Sequence, residues 1–124
     1  MKGNPVFDHI GLRVKDLDAA ARLYAAMLAP PGYVPGARDA TYAGFGPKDH
    51  PALWLQLSED SNKGCHVALR ASERAAVEKF HKEGLRAGAK DNGAPGLRAD
   101  YAPNYYAAFL IDLDGNNVEA VCMR

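Results

Sequence analysis

His9-Ile10-Gly11-Leu12-Arg13-Val14 and, 57 residues later, His66-Val67-Ala68-Leu69-Arg70-Ala71 are one phrase written twice: histidine, aliphatic, small, leucine, arginine, small apolar. A phrase that returns at this distance marks an internal repeat, so the chain reads as two copies of one supersecondary unit. In the first copy Ile10, Leu12 and Val14 alternate with His9, Gly11 and Arg13 at period two, which predicts a strand over Val6 to Val14 with one apolar and one polar face. Asp16 then supplies a helix cap, and Leu17, Ala20, Ala21, Tyr24 and Leu28 recur at helical spacing until Pro30-Pro31-Gly32 stops them. Short extended segments follow at Tyr33 to Ala37, Thr41 to Phe45 and Ala52 to Leu57, separated by glycine, proline and charged residues.

The second copy repeats this order. After the strand at His66, Ser72 is the expected cap, and Ala76, Val77, Phe80 and Gly84 form the inward stripe of a helix that ends at Gly84 and Gly88. Glu78 with Lys82 and Lys79 with Glu83 are expected solvent-side pairs. Asp91 to Tyr101 is rich in glycine and proline and reads mostly as loop, with room for a short strand. Strands return at Tyr106 to Asp112 and Asn117 to Met123, joined through the hairpin turn Asp114-Gly115-Asn116. The expected organisation is a single domain over 1–124, with module one at about 6–58 and module two at about 65–123, each strand, helix, three strands.

Bulk properties narrow the function. Fifteen basic residues balance fifteen acidic ones, so no net field draws the protein to nucleic acid or to an anionic membrane. No apolar run approaches the roughly 20 residues of a membrane span, and Met1-Lys2-Gly3-Asn4-Pro5 lacks the apolar stretch of a signal peptide, so a cytoplasmic location is expected. Cys65 and Cys122 form no CxxC pair and are expected to be reduced and buried.

Chemistry-bearing residues fall at matching points of the repeat. Strand parity places His9, Gly11 and Arg13, and likewise His66, Ala68 and Arg70, on the face away from the helix. The last strand of each copy carries one polar residue in an apolar run, Gln56 in Ala52 to Leu57 and Glu119 in Val118 to Val121. A carboxylate there is costly unless it is paired or binds a metal. If the halves pack about a pseudo-twofold axis, both histidines and Glu119 converge, with Gln56 as a further candidate. Imidazole and carboxylate suit Zn, Ni, Co, Mn or Fe, and such a set leaves positions open for water and substrate.

Asp8-His9-Ile10-Gly11-Leu12, His66-Val67-Ala68-Leu69 and the run from Phe109 to Glu119 resemble the glyoxalase, bleomycin-resistance and extradiol-dioxygenase superfamily, also called vicinal oxygen chelate. Asp91 to Arg98 and Pro103-Asn104-Tyr105-Tyr106 resemble a bacterial glyoxalase-like subgroup within it. The resemblance implies an α+β fold of paired βαβββ modules forming a curled mixed sheet around a cleft, a homodimer, and metal positions at His9, Gln56, His66 and Glu119. It also implies a metal-dependent lyase or isomerase acting on a small oxygen-chelating substrate, similar to lactoylglutathione lyase. Glu119 is then the proton shuttle, Arg13 and Arg70 hold anionic groups, and Trp54, Tyr105 and Tyr106 form an apolar wall. Two departures matter. Gln56 stands where the usual four-ligand set has a carboxylate, and His, His, Glu without it resembles the Fe(II) extradiol dioxygenases, whose acid-base histidine has no evident match in His50 or His81. A non-catalytic small-molecule binding or drug-sequestering protein is the third reading.

Overall fold

The computed structural model describes residues 6–124; the expectation made for Met1 to Pro5 lies outside them. Module one comprises β1 (Ile10–Val14), α1 (Leu17–Leu28), β2 (Val34–Arg38), β3 (Tyr42–Gly46) and β4 (Leu53–Leu57). Module two comprises β5 (His66–Arg70), α2 (Arg74–Arg86), β6 (Lys90–Leu97), β7 (Tyr106–Ile111) and β8 (Asn117–Cys122). The strands form two four-stranded mixed sheets, ordered β1-β4-β3-β2 and β5-β8-β7-β6, each with one parallel pair between its first and last strands. The βαβββ pattern therefore occurs twice, as the repeat implies.

Local chemistry explains these elements. Asp16 caps α1 by accepting from the amide of Ala19 at 3.0 Å. Leu17, Ala20, Leu23, Tyr24, Met27 and Leu28 are its buried stripe, packed on β2, β3 and β4. Val77, Phe80 and Gly84 do the same for α2 against β6, β7 and β8. The two helices also pack on each other, so one apolar core runs from Leu12, Phe45 and Leu55 through the helix pair to Leu110, Val118 and Ala120. Each sheet thus has one face turned to the helices and one left open.

Several expectations are corrected. β1 begins at Ile10 rather than Val6, because its parallel partner β4 begins opposite it at Leu53 and Val6 to His9 lie beyond the end of that partner. Glu73, not Ser72, occupies the cap of α2, without a side-chain hydrogen bond. The helix runs past Gly84 to Arg86. Glu78 turns to the hydroxyl of Tyr106 at 2.7 Å instead of pairing with Lys82, and Glu83 meets Arg86 rather than Lys79. Lys90 to Leu97 is a strand of eight residues, longer than the short strand allowed within an expected loop; register shifts around Gly93 let a glycine- and proline-bearing segment serve at the sheet edge.

The modules are tied at the β7–β8 turn. Asp112 is 5% exposed and its carboxylate accepts from the amides of Asp114 and Asn116, the Asn116 side chain and, at 2.6 Å, the hydroxyl of Tyr24 on α1. Cys65 is half-buried and Cys122 buried, and both are free thiols. Among the described residues no helix is long and apolar enough to cross a membrane.

Candidate functional site

The residues that the repeat singles out lie on the two open faces. On module two, Glu119 stands mid-strand in β8, with Ala68 of β5 on one side and Phe109 of β7 on the other. Its side chain is 1% exposed, yet it reaches the open face: one carboxylate oxygen lies 2.8 Å from Nε2 of His66, and the other accepts from the hydroxyl of Tyr105. A buried carboxylate costs several kcal/mol unless its lone pairs are satisfied. Here the partners are an imidazole that is 53% exposed and a phenol, not a lysine or arginine. Burial, and then the bond to Glu119 and its charge, push the Tyr105 hydroxyl up to about 12, so it stays protonated at neutral pH and remains the donor. Tyr101 braces that phenol edge-on, with ring centroids 5.1 Å apart.

On module one, His9 sits just ahead of β1 with its Nδ1 2.6 Å from Asp8, and that hydrogen bond holds the Asp8 carboxyl below its ordinary range. His9, Gly11, Tyr42, Trp54 and Gln56 line one cavity of about 420 Å³. The register gives a correction here. Gly11 pairs with Trp54, whereas its repeat counterpart Ala68 pairs with Glu119. Trp54 therefore occupies the place that Glu119 holds in module two. Gln56 pairs with Arg13 and corresponds to Val121, so it shares the face but stands two residues beyond the expected position. The indole lies flat across Gly44, where a Cβ would meet Trp54 Cζ3 at 2.6 Å, and Tyr42 stands edge-on to it at 5.6 Å.

The structure thus brings His66, Glu119 and Tyr105 together, and separately His9, Gln56 and Trp54. Within one chain it does not join the two groups: among the described residues no three His, Cys, Asp or Glu side chains gather closely enough to hold a metal. Arg13 and Arg70 point to the open faces and neither forms an ion pair among the described residues. Tyr106 does not share the face of Tyr105. Strand alternation turns it to α2, where Arg74 lies over its ring at 4.9 Å and Glu78 accepts from its hydroxyl, raising its pKa. It is removed from the expected substrate wall. His81 is likewise bound to Asp91, 2.8 Å away, and ties α2 to β6. Arg98, Phe109 and Asn117, which the sequence reading passed over, share the open face of module two with His66.

No protein-family model and no curated protein matches the chain. Solved structures do. The chain is similar to a glyoxalase/bleomycin resistance protein from Albidiferax ferrireducens T118, at 22% identity and a TM-score of 0.84 over 97% of this chain and 100% of that one. A glyoxalase/bleomycin resistance protein/dioxygenase family enzyme from Burkholderia phytofirmans PsJN follows at 17% and 0.72, over 94% and 98% of the two chains. A glyoxalase-related enzyme from Fulvimarina pelagi aligns at 19% and 0.71, over 91% and 84%. The chain has the fold of the vicinal oxygen chelate superfamily.

Proposed function

We propose that the protein is a metal-dependent enzyme of the glyoxalase-like kind, a lyase or isomerase acting on a small oxygen-chelating substrate, with its reacting centre at His66 and Glu119. The observation that carries this reading is a carboxylate 1% exposed whose partners on the open face are an imidazole and a phenol. The donor chemistry fits a divalent ion, zinc, nickel, cobalt, manganese or iron, but one chain offers half a site. A homodimer supplies the rest, with His9 of the partner subunit as the third donor. When bound, the ion supplies Lewis-acid polarisation of a substrate oxygen. Glu119 takes the proton from the carbon beside that oxygen and returns it, and Tyr105 holds the second carboxylate oxygen in place while it does so. The half-buried Trp54 with Tyr42 closes the cleft on an apolar side and limits water.

One observation favours a second reading. With Trp54 in the place of a second carboxylate, the donor set reduces to His9, His66 and Glu119, the set that resembles Fe(II) extradiol dioxygenases. Against it, His81 is occupied on the helix side. Elemental analysis of protein purified without chelator, with assays on 2-oxoaldehyde thiol adducts and on catechols, decides between them. Zinc or nickel with proton-transfer turnover supports the lyase; iron with oxygen uptake on catechols replaces it with the dioxygenase. Protein that stays metal-free even when metal is offered at concentrations where it is dimeric overturns both.

A further inference from the structure

A cavity of about 270 Å³ lies at the seam of the two modules and is lined from both. Leu28 at the end of α1, Phe45 of β3, Leu53 of β4 and Val67 of β5 are among its walls, and none of the four is more than 7% exposed. The cavity therefore reaches into the core and is not a shallow facet of the surface. Its rim is Phe7, Asp8 and His9, just ahead of β1, with Pro47 after β3. Phe7 is 73% exposed there, so its ring is largely uncovered.

The chemistry of the walls selects an apolar occupant. The hydroxyl of Tyr33 donates to the carbonyl of Arg70, and Asp8 and His9 hold one another at 2.6 Å, so the polar side chains at the cavity already have partners. The backbone beside it is paired as well: the amide of Ile10 donates to Ala52 and that of Ala52 to Phe45. Water in such a space needs about 2–4 polar partners and finds few here. Close-packed interiors leave few voids larger than a water molecule, and an apolar one of about 150 Å³ stays dry and takes up benzene. A cavity roughly twice that size has room for two fused rings, and Tyr33 and Phe45 offer aromatic walls to pack against them. It also stands near the lower end of the about 300–1,000 Å³ of small-molecule pockets. The carboxylate of Asp8 at the rim disfavours an anion.

We propose that this cavity binds a neutral aromatic molecule of two fused rings, with Phe7 closing over it. The ligand is held by shape and apolar cover, and its affinity follows the surface that it buries. The site goes beyond the proposed chemistry and needs no metal. It meets that chemistry at one residue: His9 lines this cavity and also the one that holds Trp54 and Gln56 on the open face.

The test titrates naphthalene into the full-length protein as purified and follows it by NMR, with benzene and 2-naphthoate as comparison probes. Naphthalene is expected to show intermolecular NOE contacts to the methyl groups of Leu28 and Val67. It should bind about 10-fold or more tighter than benzene, which covers less apolar surface. 2-Naphthoate carries the same rings with a charge and should bind about 10-fold or more weaker than naphthalene, because its carboxylate loses water with no partner to replace it. Phe7→Ala, at an exposed position that leaves the core intact, should weaken naphthalene by about 5-fold, and Leu69→Trp, which fills the cavity from β5, should abolish binding. No binding up to the solubility limit of naphthalene, contacts to Trp54 and Tyr42 in place of Leu28 and Val67, or 2-naphthoate binding as tightly as naphthalene overturns the proposal. All three are read on the wild type and do not depend on a variant folding. NOE contacts from Leu28 to a second copy, in a sample mixed from labelled and unlabelled protein, would show that the partner subunit fills the cavity and would overturn it too.

Discussion

Replacing Tyr24 with phenylalanine removes one oxygen and asks how firmly the two modules are held together. Tyr24 is 1% exposed, and its hydroxyl joins α1 to the network around Asp112, which belongs to module two. Deleting it leaves the shape of the core intact and Asp112 one donor short. A hydrogen bond to a charged group contributes about 1.5–3 kcal/mol. At about 2.1 cal/mol/K per residue, the unfolding entropy of a chain this size is about 0.26 kcal/mol/K, so Tm should fall by about 6–11 °C. Scanning calorimetry at fixed protein concentration reads this directly, the concentration being held because association makes Tm depend on it.

The same variant has a pH signature. Burial first, then the charge of Asp112 and the bond to it, raise the Tyr24 hydroxyl well above its ordinary value. In the unfolded chain the phenol titrates near pH 10. Above that pH the unfolded state binds fewer protons than the folded one, so the stability that Tyr24 contributes is complete below about pH 10 and is lost as pH rises towards the raised folded value. The gap between wild type and Tyr24→Phe should be constant from about pH 7 to 9 and should narrow beyond about pH 10. A Tm loss under about 2 °C, or a gap that widens in alkali, would refute the assignment of Tyr24 as the donor that couples α1 to module two.

Glu119→Gln, which keeps the size but neither charge nor basicity, should fold, hold less metal by elemental analysis, and lose turnover by about 10²–10⁴-fold in the proton-transfer assay. Trp54→Glu should tighten metal binding measured by calorimetry, because the register places position 54 opposite Gly11 as Glu119 is opposite Ala68, whereas Gln56→Glu, displaced by two residues, should change it less. Gly44→Ala forces a Cβ to within 2.6 Å of the Trp54 ring. It should cost about 1–3 kcal/mol in denaturant unfolding and shift the fluorescence of the single tryptophan; an unchanged emission spectrum would mean that the indole does not lie against the strand.

What was legible in the sequence, and what was not, follows from how far each inference had to reach. Strand polarity from Gly11 to Val14 and from His66 to Arg70, the stripe of α1 and the turn at Gly115 are local patterns, and the structure keeps them. β6 was hidden because an edge strand with two register shifts tolerates the glycine and proline that speak against a strand elsewhere. Those glycines did carry a signal, close approach by another group, and the group is Arg98. Tyr105 and Tyr106 could not both face the cleft, since neighbours in an extended segment point to opposite sides. Register was the hardest, because it depends on the length between strands. Module two carries eight more residues between Ala68 and Glu119 than module one carries between Gly11 and Trp54, and matching polar residue to polar residue chose Gln56 across that difference. Once the register is set, the two halves are seen to have diverged in chemistry while keeping one fold. Module two carries the carboxylate, the phenol and Arg98; module one carries a histidine before an indole and a tyrosine. A cleft made from one of each, as between two copies of the chain, would have an acid-base wall facing an apolar one, and that asymmetry lets charge develop on a substrate from one side only.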